Sequence, residues 1–427
     1  MYKYHALPRG GGRAKSMLVV SSSRPKENPS TAEERGVDRI RPLQILPGDH
    51  LIAGFSGQVA GPTLLIVAGL HGNESAGVTA LRNVSKKLEN FDDKLNGRVY
   101  FLAGNTRALA TGVRFIDADL NRSWTSENLS PAGSSGFLNT SEGSEITELC
   151  EIIDGILVTA KDEVYVMDLH STSATGEPFA TVGDTLRNRL FAQKFPVSII
   201  LGIEEQLDGT MLEYLNNAGA VTLGFEGGQH YSADTVANHE NIVWRALNNT
   251  GILPNADGVV APARPGRTHY TDKIFEIRYR HAITVDDDFE MHPGFNNFDP
   301  ISRDQILARD RRGSVTACES GVILMPLYQK LGEDGFFIGR RVASFWLLLS
   351  ELLRRMGIQN LVSILPGVRR DAEDPETLIV NTGVARIFPL QVFHLLGFRR
   401  RRWSGNKLIV SRRRHDLVSP FVKRELN

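Results

Sequence analysis

The clearest hydrophobic signal along the chain is a set of short apolar runs separated by stretches of helical periodicity. Thr63-Leu64-Leu65-Ile66-Val67-Ala68 has no charged side chain and is rich in branched residues, the pattern of a strand buried on both faces. It ends in Gly69-Leu70-His71-Gly72-Asn73-Glu74, and from Ala76 to Leu88 the apolar residues Val78, Leu81, Val84 and Leu88 recur at helical spacing. The alternation then repeats. Arg98–Ala103 reads as a strand, Ser144–Thr159 as a helix with Ile146, Leu149, Ile152, Ile153 and Ile156 at helical spacing, and Val164–Leu169 as a strand that delivers His170 at its C-terminal end. Val197–Leu201 and Ala220–Phe225 predict two more strands, the second leading into Glu226, and Val236–Leu247 predicts a helix. Strands alternating with helices imply an α/β domain with a largely parallel sheet, which we assign to residues 46–250.

Beyond a Pro/Gly-rich joint, Pro254–Gly266, the texture changes. Phe275–Tyr279 and Ala282–Val285 alternate, and Gly321–Met325 is apolar, so residues 258–344 read as a small all-β domain. Phe345–Met356 predicts a helix, Val384–Leu396 another, and Arg402–Arg412 a hairpin turning at Ser404-Gly405-Asn406. Together they form a C-terminal α+β extension over residues 345–427. Residues 1–45, rich in Ser, Pro, Arg and Gly, read as a disordered extension. Its first 26 residues carry Lys3, Arg9, Arg13, Lys15, Arg24 and Lys26 with no acid, yet Gly10-Gly11-Gly12 and a weak amphipathic pattern argue against a targeting leader. No internal repeat is evident.

Composition narrows the class. With 41% hydrophobic and 23% charged residues, the 427-residue chain is long enough for two to three domains with a real core. Lys+Arg and Asp+Glu both total 49, so no overall field recruits nucleic acid. The C-terminus is locally basic, at Arg399–Arg402 and Arg412-Arg413-Arg414, and the ordinary reading of such runs is a solvated face or tail. No stretch approaches the ~20 apolar residues of a membrane helix. The two cysteines, Cys150 and Cys318, exclude a disulfide framework and a cysteine-rich zinc site, and they fit a reducing, cytoplasmic compartment. Any metal ligands must then be histidine and carboxylate.

Polar groups fall at the ends of three predicted central strands: His71 with Glu74, His170, and Glu226. In an open α/β sheet the C-terminal ends of strands face the crevice where ligands bind. A catalytic zinc takes three N/O ligands and keeps one open position, and His71, Glu74 and His170 can supply such a set. His-x-x-Glu spacing alone is weak, since such pairs arise by chance and histidines at strand ends are commonly structural. Gly69 and Gly72 strengthen the reading by allowing a tight turn and close backbone approach beside the pair. Glu226 adds an acid that the metal does not need, which suits a general base.

Four segments carry a family resemblance. Gly69-Leu70-His71-Gly72-Asn73-Glu74-Ser75-Ala76-Gly77 resembles the metal motif of the succinylglutamate desuccinylase/aspartoacylase family, relatives of the zinc carboxypeptidases. Arg114 to Arg122, Asp168-Leu169-His170-Ser171-Thr172 and Gly224-Phe225-Glu226-Gly227-Gly228 resemble its later motifs, in order. Gly321–Gly339, with Pro326-Leu327-Tyr328-Gln329-Lys330, is similar to the part of its β domain that reaches towards the active site. The likeness spans about residues 50–345. It implies one zinc ion per chain on His71, Glu74 and His170, with Glu226 as base and acid. It places Arg114 near the scissile carbonyl, Asn121 and Arg122 on the substrate carboxylate, and Tyr328 in substrate binding. Asp168 reads as a group orienting a ligand histidine, while Asp117 and Asp119 stay unassigned.

The expectation is therefore a zinc-carboxypeptidase-like α/β sheet flanked by helices, with the small β domain capping the active site. The reaction is hydrolysis of the amide of a small N-acyl amino acid, with water activated by zinc as nucleophile. A capped cleft favours small substrates over threaded peptides. Two rivals stand beside it: a zinc carboxypeptidase cutting short peptides, and a zinc-site scaffold whose basic C-terminal module binds a partner. The sequence argues against membrane and nucleic-acid partners and leaves a homo-oligomer open.

Overall fold

A computed structural model describes residues 45–130, 136–254, 273–381, 383, 390–404 and 407–422. Residues 1–44 of the expected disordered extension, nearly all of the Pro254–Gly266 joint, the start of the Val384–Leu396 helix and the Gly405-Asn406 turn lie outside the described residues, whereas Ile45 is buried. The first half of the chain forms β1 (Leu51–Ser56), β2 (Val59–Ala68), α1 (Ala76–Leu88), β3 (Asn96–Ala103), α2 (Thr106–Thr111), α3 (Ser141–Thr159) and β4 (Val164–Thr172). Then come β5 (Phe179–Val182), α4 (Leu186–Ala192), β6 (Ser198–Leu201), α5 (Met211–Asn217), β7 (Val221–Gln229) and α6 (Ala233–Asn249).

These strands form one sheet, in the order β1-β3-β2-β4-β7-β5-β6. The run β3-β2-β4-β7 is parallel, as is β5-β6, while β1 and the β7/β5 junction are antiparallel. The two-sided burial expected of β2 is visible residue by residue. Leu64, Ile66 and Ala68 enter one core cluster with α1 and α6 residues, and Leu65 and Val67 enter another with α3 and α5 residues. Each fully buried branched side chain contributes about 1.5–3 kcal/mol, so this strand alone strongly fixes the register. The architecture is α/β, with a largely parallel central sheet flanked by helices.

The sheet continues past the joint. β8 (Ile274–Ala282) pairs in parallel with β6, and β14 (Asp334–Arg341), β13 (Gly321–Leu324) and β10 (Pro300–Ile301) extend it antiparallel to eleven strands. β9 (Glu290–Met291), β11 (Ile306–Asp310) and β12 (Gly313–Thr316) form a separate three-stranded sheet. The expected strand Ala282–Val285 is not one. Ala282 ends β8, and Thr284 donates its N–H and hydroxyl to Asp287 Oδ2, both at 2.8 Å, to start a single helical turn. Local side-chain hydrogen bonding outcompetes the ladder here.

Residues beyond β14 form α7 (Ser344–Arg355), β15 (Val368–Arg370), β16 (Thr377–Asn381), α8 (Leu390–Leu395), β17 (Arg400–Ser404) and β18 (Lys407–Ser411). A four-stranded antiparallel sheet, β15-β16-β18-β17, closes over Leu378, Val380, Phe393, Phe398, Leu408 and Val410. Among the described side chains of the basic runs, most do not form a solvated tail. Arg399 ion-pairs with Asp184 and Glu276, Arg412 with Glu376, and Arg413 with Glu204 and Glu205, whereas Arg414 remains exposed. Arg354 of α7 is buried and donates to Asp416 Oδ2 at 2.9 Å, Asp184 Oδ1 at 3.1 Å and the Asp184 carbonyl at 3.0 Å. The runs misread as solvent-facing because their acids lie far away in the chain. Among the described residues, no helix is long and apolar enough to cross a membrane.

Candidate functional site

The turn after β2 is shaped by close approach. Gly69 has φ +74°, which favours glycine, and a Cβ on Gly72 would lie 2.2 Å from the Ala108 carbonyl carbon. The Gly72 N–H donates to the Arg114 carbonyl at 3.0 Å, tying this turn to the loop that carries Arg114 and Asp119. That loop is fixed in turn by Glu142 near the start of α3. The buried Glu142 carboxylate accepts the N–H groups of Ile116, Asp117 and Ala118 at 2.8–3.2 Å and the Asn105 amide at 2.9 Å.

On β4 and β7, Asp168 pairs with Gly224 and His170 with Glu226, so the imidazole and the carboxylate stand side by side on adjacent parallel strands. The strands run further than expected, to Thr172 and Gln229, placing both residues within the sheet edge rather than in loops.

His71, Glu74 and His170 converge, with their donor atoms within 4.8 Å of one another. His71 Nδ1 is 2.8 Å from Glu74 Oε1, and His170 Nδ1 is 3.1 Å from Glu74 Oε2. Each ring's other nitrogen meets a carboxylate: His71 Nε2 lies 3.1 Å from Asp119 Oδ1, and His170 Nε2 2.6 Å from Asp168 Oδ2. A tautomer that donates Nε2–H to the carboxylate presents the Nδ1 lone pair at the meeting point. This is how metal-binding histidines are oriented. The donor set therefore fits a divalent cation of the zinc type, with two imidazole nitrogens and one carboxylate. Burial disfavours charge on His170, but Asp168 and Glu74 outweigh it and hold its pKa well above the usual value. Burial likewise opposes the ionisation of Glu74, yet the two imidazoles keep its carboxyl well below the ordinary range.

The cluster opens into a cavity of about 120 Å³ that is also lined by Arg114, Asn121, Arg122, Glu226 and His230. Glu226 is buried and its Oε2 has no hydrogen-bond partner; burial pushes its pKa up to about 8. Arg114 Nη2 donates to Asp119 Oδ2 at 3.0 Å and lies 2.8 Å from His71 Nε2. Asn121 Oδ1 accepts from the Met211 N–H at 3.0 Å, and its Nδ2 is 3.3 Å from His170 Nε2. Arg122 Nη2 donates to Asp334 Oδ2 at 2.9 Å, while its Nε is buried without a hydrogen bond. Tyr328 is placed differently from the other expected residues. Its hydroxyl lies 3.0 Å from both the His292 and the Phe295 carbonyls, which share its one proton, and it accepts the Phe295 N–H at 2.9 Å; it is not among the residues that line the cavity.

Its neighbour Gln329 does line the cavity, and the segment between β13 and β14 is pinned to the sheet edge by polar contacts. Asn73 donates to Gln329 Oε1 at 3.1 Å, His230 Nε2 lies 3.3 Å from the same oxygen, and Ser173 Oγ accepts the Tyr328 N–H at 3.0 Å. His230 Nδ1 in turn contacts Ser171 Oγ at 2.8 Å. Sequence reasoning left Asp119 unassigned, although it lay inside a quoted motif, and did not single out Gln329. Another His/carboxylate group, His50 with Glu145 and Glu148, carries Arg107 on both carboxylates at 2.8 Å and reads as an ion-pair network.

With this geometry in view, the fold and the His-Glu-His cluster define a class: an α/β domain with a metal-type site at the C-terminal ends of parallel strands. Residues 60–248 match the family model described as the Succinylglutamate desuccinylase/Aspartoacylase catalytic domain. A succinylglutamate desuccinylase of Pseudomonas paraeruginosa is 34% identical over 92 residues, covering 22% of this chain and 26% of that protein. A probable aspartoacylase of Prochlorococcus marinus is 30% identical over 146 residues, covering 32% and 44%. The matched part thus spans less than half the length of these curated relatives. Crystal structures of a succinylglutamate desuccinylase/aspartoacylase from Rhodobacter sphaeroides and a succinylglutamate desuccinylase from Vibrio cholerae share the fold. Their TM-scores are 0.52 and 0.50 at 16% and 17% identity, over 68% and 67% of this chain and 88% and 83% of theirs.

Proposed function

We propose that this chain is a zinc-dependent amidohydrolase that releases the acyl group of a small N-acyl amino acid. One observation carries the reading. Two imidazole Nδ1 atoms and the Glu74 carboxylate meet at one point, each imidazole is braced by its own carboxylate, and Glu226 stands beside His170. When bound there, zinc lowers the pKa of a water molecule towards ~7 and polarises the substrate carbonyl.

The residues of the chain supply the rest. Glu226 Oε2, with no competing donor, takes a proton from the attacking water and returns it to the leaving amine. Arg114 faces the charge that develops on the carbonyl oxygen; loss of one such donor typically costs on the order of 10²–10³ in rate. Arg122 Nε makes no hydrogen bond and has only the half-exposed Glu333 at 3.6 Å, so it is the donor offered to the substrate carboxylate, with Asn121 alongside. The wall formed by the β13–β14 segment, and a cavity of only about 120 Å³, suit a small substrate rather than a threaded peptide. The unpaired thiols of Cys150 and Cys318 suit a cytoplasmic setting.

The test is turnover by the zinc-loaded protein on a panel of N-acetyl- and N-succinyl-amino acids beside short peptides. Release of free amino acid from the former supports the reading. Exclusive cleavage of peptides would replace it with carboxypeptidase action.

A further inference from the structure

One wall of the cavity carries a carboxylate that the proposed chemistry does not use. Glu204 follows β6, is only 3% exposed, and lines the cavity. No side chain gives either oxygen a well-formed hydrogen bond, and the backbone of Gly183 is the polar group beside it. The nearest cation is Arg413, whose Nη2 lies 3.2 Å from Glu204 Oε2, but Arg413 Nε is given to Glu205 Oε1, also at 3.2 Å. One guanidinium is thus shared by two carboxylates in a dry place, so the Glu204 carboxyl group is only partly answered by its own protein.

The strand register shows where Glu204 lies relative to the chemistry. On β5, Phe179 pairs with Glu226 and Thr181 with Gly224. Gly183 comes next on the same side, and a Cβ there would come within 2.8 Å of Glu204 Oε2. From Phe179 to Gly183 is four residues, about 13 Å of strand. The carboxylate therefore stands several carbon–carbon bonds away from Glu226. Between them the wall is formed by Gly224, which has no side chain, and by Thr181, Ile203, Leu207 and Leu212. Each arginine of the cavity has an acid of its own on one nitrogen, Arg114 with Asp119 and Arg122 with Asp334, rather than Glu204.

Building on the deacylase reading, we propose that Glu204 receives a protonated amine at the end of the substrate's aliphatic side chain. The substrate class is then an Nα-acyl amino acid with a second, cationic amine. In such a substrate the α-nitrogen is an uncharged amide, so the only cation available to Glu204 comes from the side chain. The apolar walls match the methylene stem, and the buried carboxylate matches its charged end. Glu204 acts as a specificity-determining residue.

The experiment compares kcat/KM of the full-length, zinc-loaded protein for Nα-acyl-lysine and Nα-acyl-ornithine against Nα-acyl-norleucine and Nα-acyl-glutamate, all with the same acyl group. The cationic substrates are expected to lead their neutral isostere by at least about tenfold, the range of a lost charge-assisted contact. Glu204→Gln is expected to bring that ratio close to unity. Equal or faster turnover of the neutral or acidic substrates by the wild-type protein would overturn the proposal and leave the deacylase reading standing. Failure of every N-acyl amino acid would instead sink the deacylase reading. Calorimetric titration with free lysine against norleucine then decides the cation site separately. Binding of lysine that Glu204→Gln abolishes upholds the site, and equal binding of the two amino acids removes it. Should Glu204→Gln fail to fold, the wild-type preference and the Glu204→Asp ratio carry the same decision.

Discussion

Asp168 Oδ2 lies 2.6 Å from His170 Nε2, and this contact sets which nitrogen of the ring faces Glu74. The carboxylate selects the Nε2–H tautomer and turns Nδ1 towards the point where the three donors meet. Asp168→Asn removes that selection without changing shape. Metal affinity is expected to fall about 10–100-fold, as for other partners that brace a ligand histidine. Competition with a chromogenic chelator measures it. Unchanged affinity would mean that Asp168 does not orient the ring.

Glu226 separates the proton chemistry from the metal chemistry. Glu226→Gln preserves size and polarity but cannot accept a proton. It is expected to retain zinc and to lose on the order of 10²–10⁴ in kcat. Metal content and turnover of the same preparation check the two halves of this statement, and normal turnover would remove Glu226 from its role.

The extension is fastened to the α/β domain through buried charge. Arg354→Leu takes the guanidinium away from the buried Asp416, while Asp184 keeps Arg189 and Arg399. Removing one partner of such a pair costs about 3–5 kcal/mol. Urea unfolding should show an unfolding free energy lower by about that amount. A free energy within about 1 kcal/mol of wild type, on the order of the median surface pair, would show the contact to be dispensable.

Burial pushes Glu204 up to about 7, while Arg413 pulls the other way. The folded protein thus favours the protonated acid. The stability this group contributes is full below its ordinary value near 4.5 and is lost as pH rises through about 7. Thermal denaturation of the wild-type protein against Glu204→Gln should therefore show the wild type losing ground between about pH 4.5 and 7, then running parallel. A constant difference across that window would contradict the shift.

The α/β core was legible because each central strand is buried on both faces, which leaves an uncharged run such as Thr63–Ala68 that resembles nothing else. His71, Glu74, His170 and Glu226 were legible because they terminate or follow such runs. β5 was not, since four residues after Gly176-Glu177-Pro178 give no period to read. Nor was Glu204, whose meaning depends on Arg413 at the far end of the chain. The same long-range pairing explains why the basic C-terminal runs read as solvent-facing although Arg399 and Arg413 are mostly buried. Tyr328 was expected at the substrate, but its hydroxyl is consumed by the backbone at His292 and Phe295, a fold contact that no local pattern signals.

The most direct measurement is the metal content of the purified protein by inductively coupled plasma mass spectrometry, beside a folded His71→Ala/His170→Ala double variant. The account predicts about one zinc per wild-type chain and almost none in the variant. Equal zinc in both, or a wild-type protein that stays free of divalent metal after incubation with zinc, would contradict it.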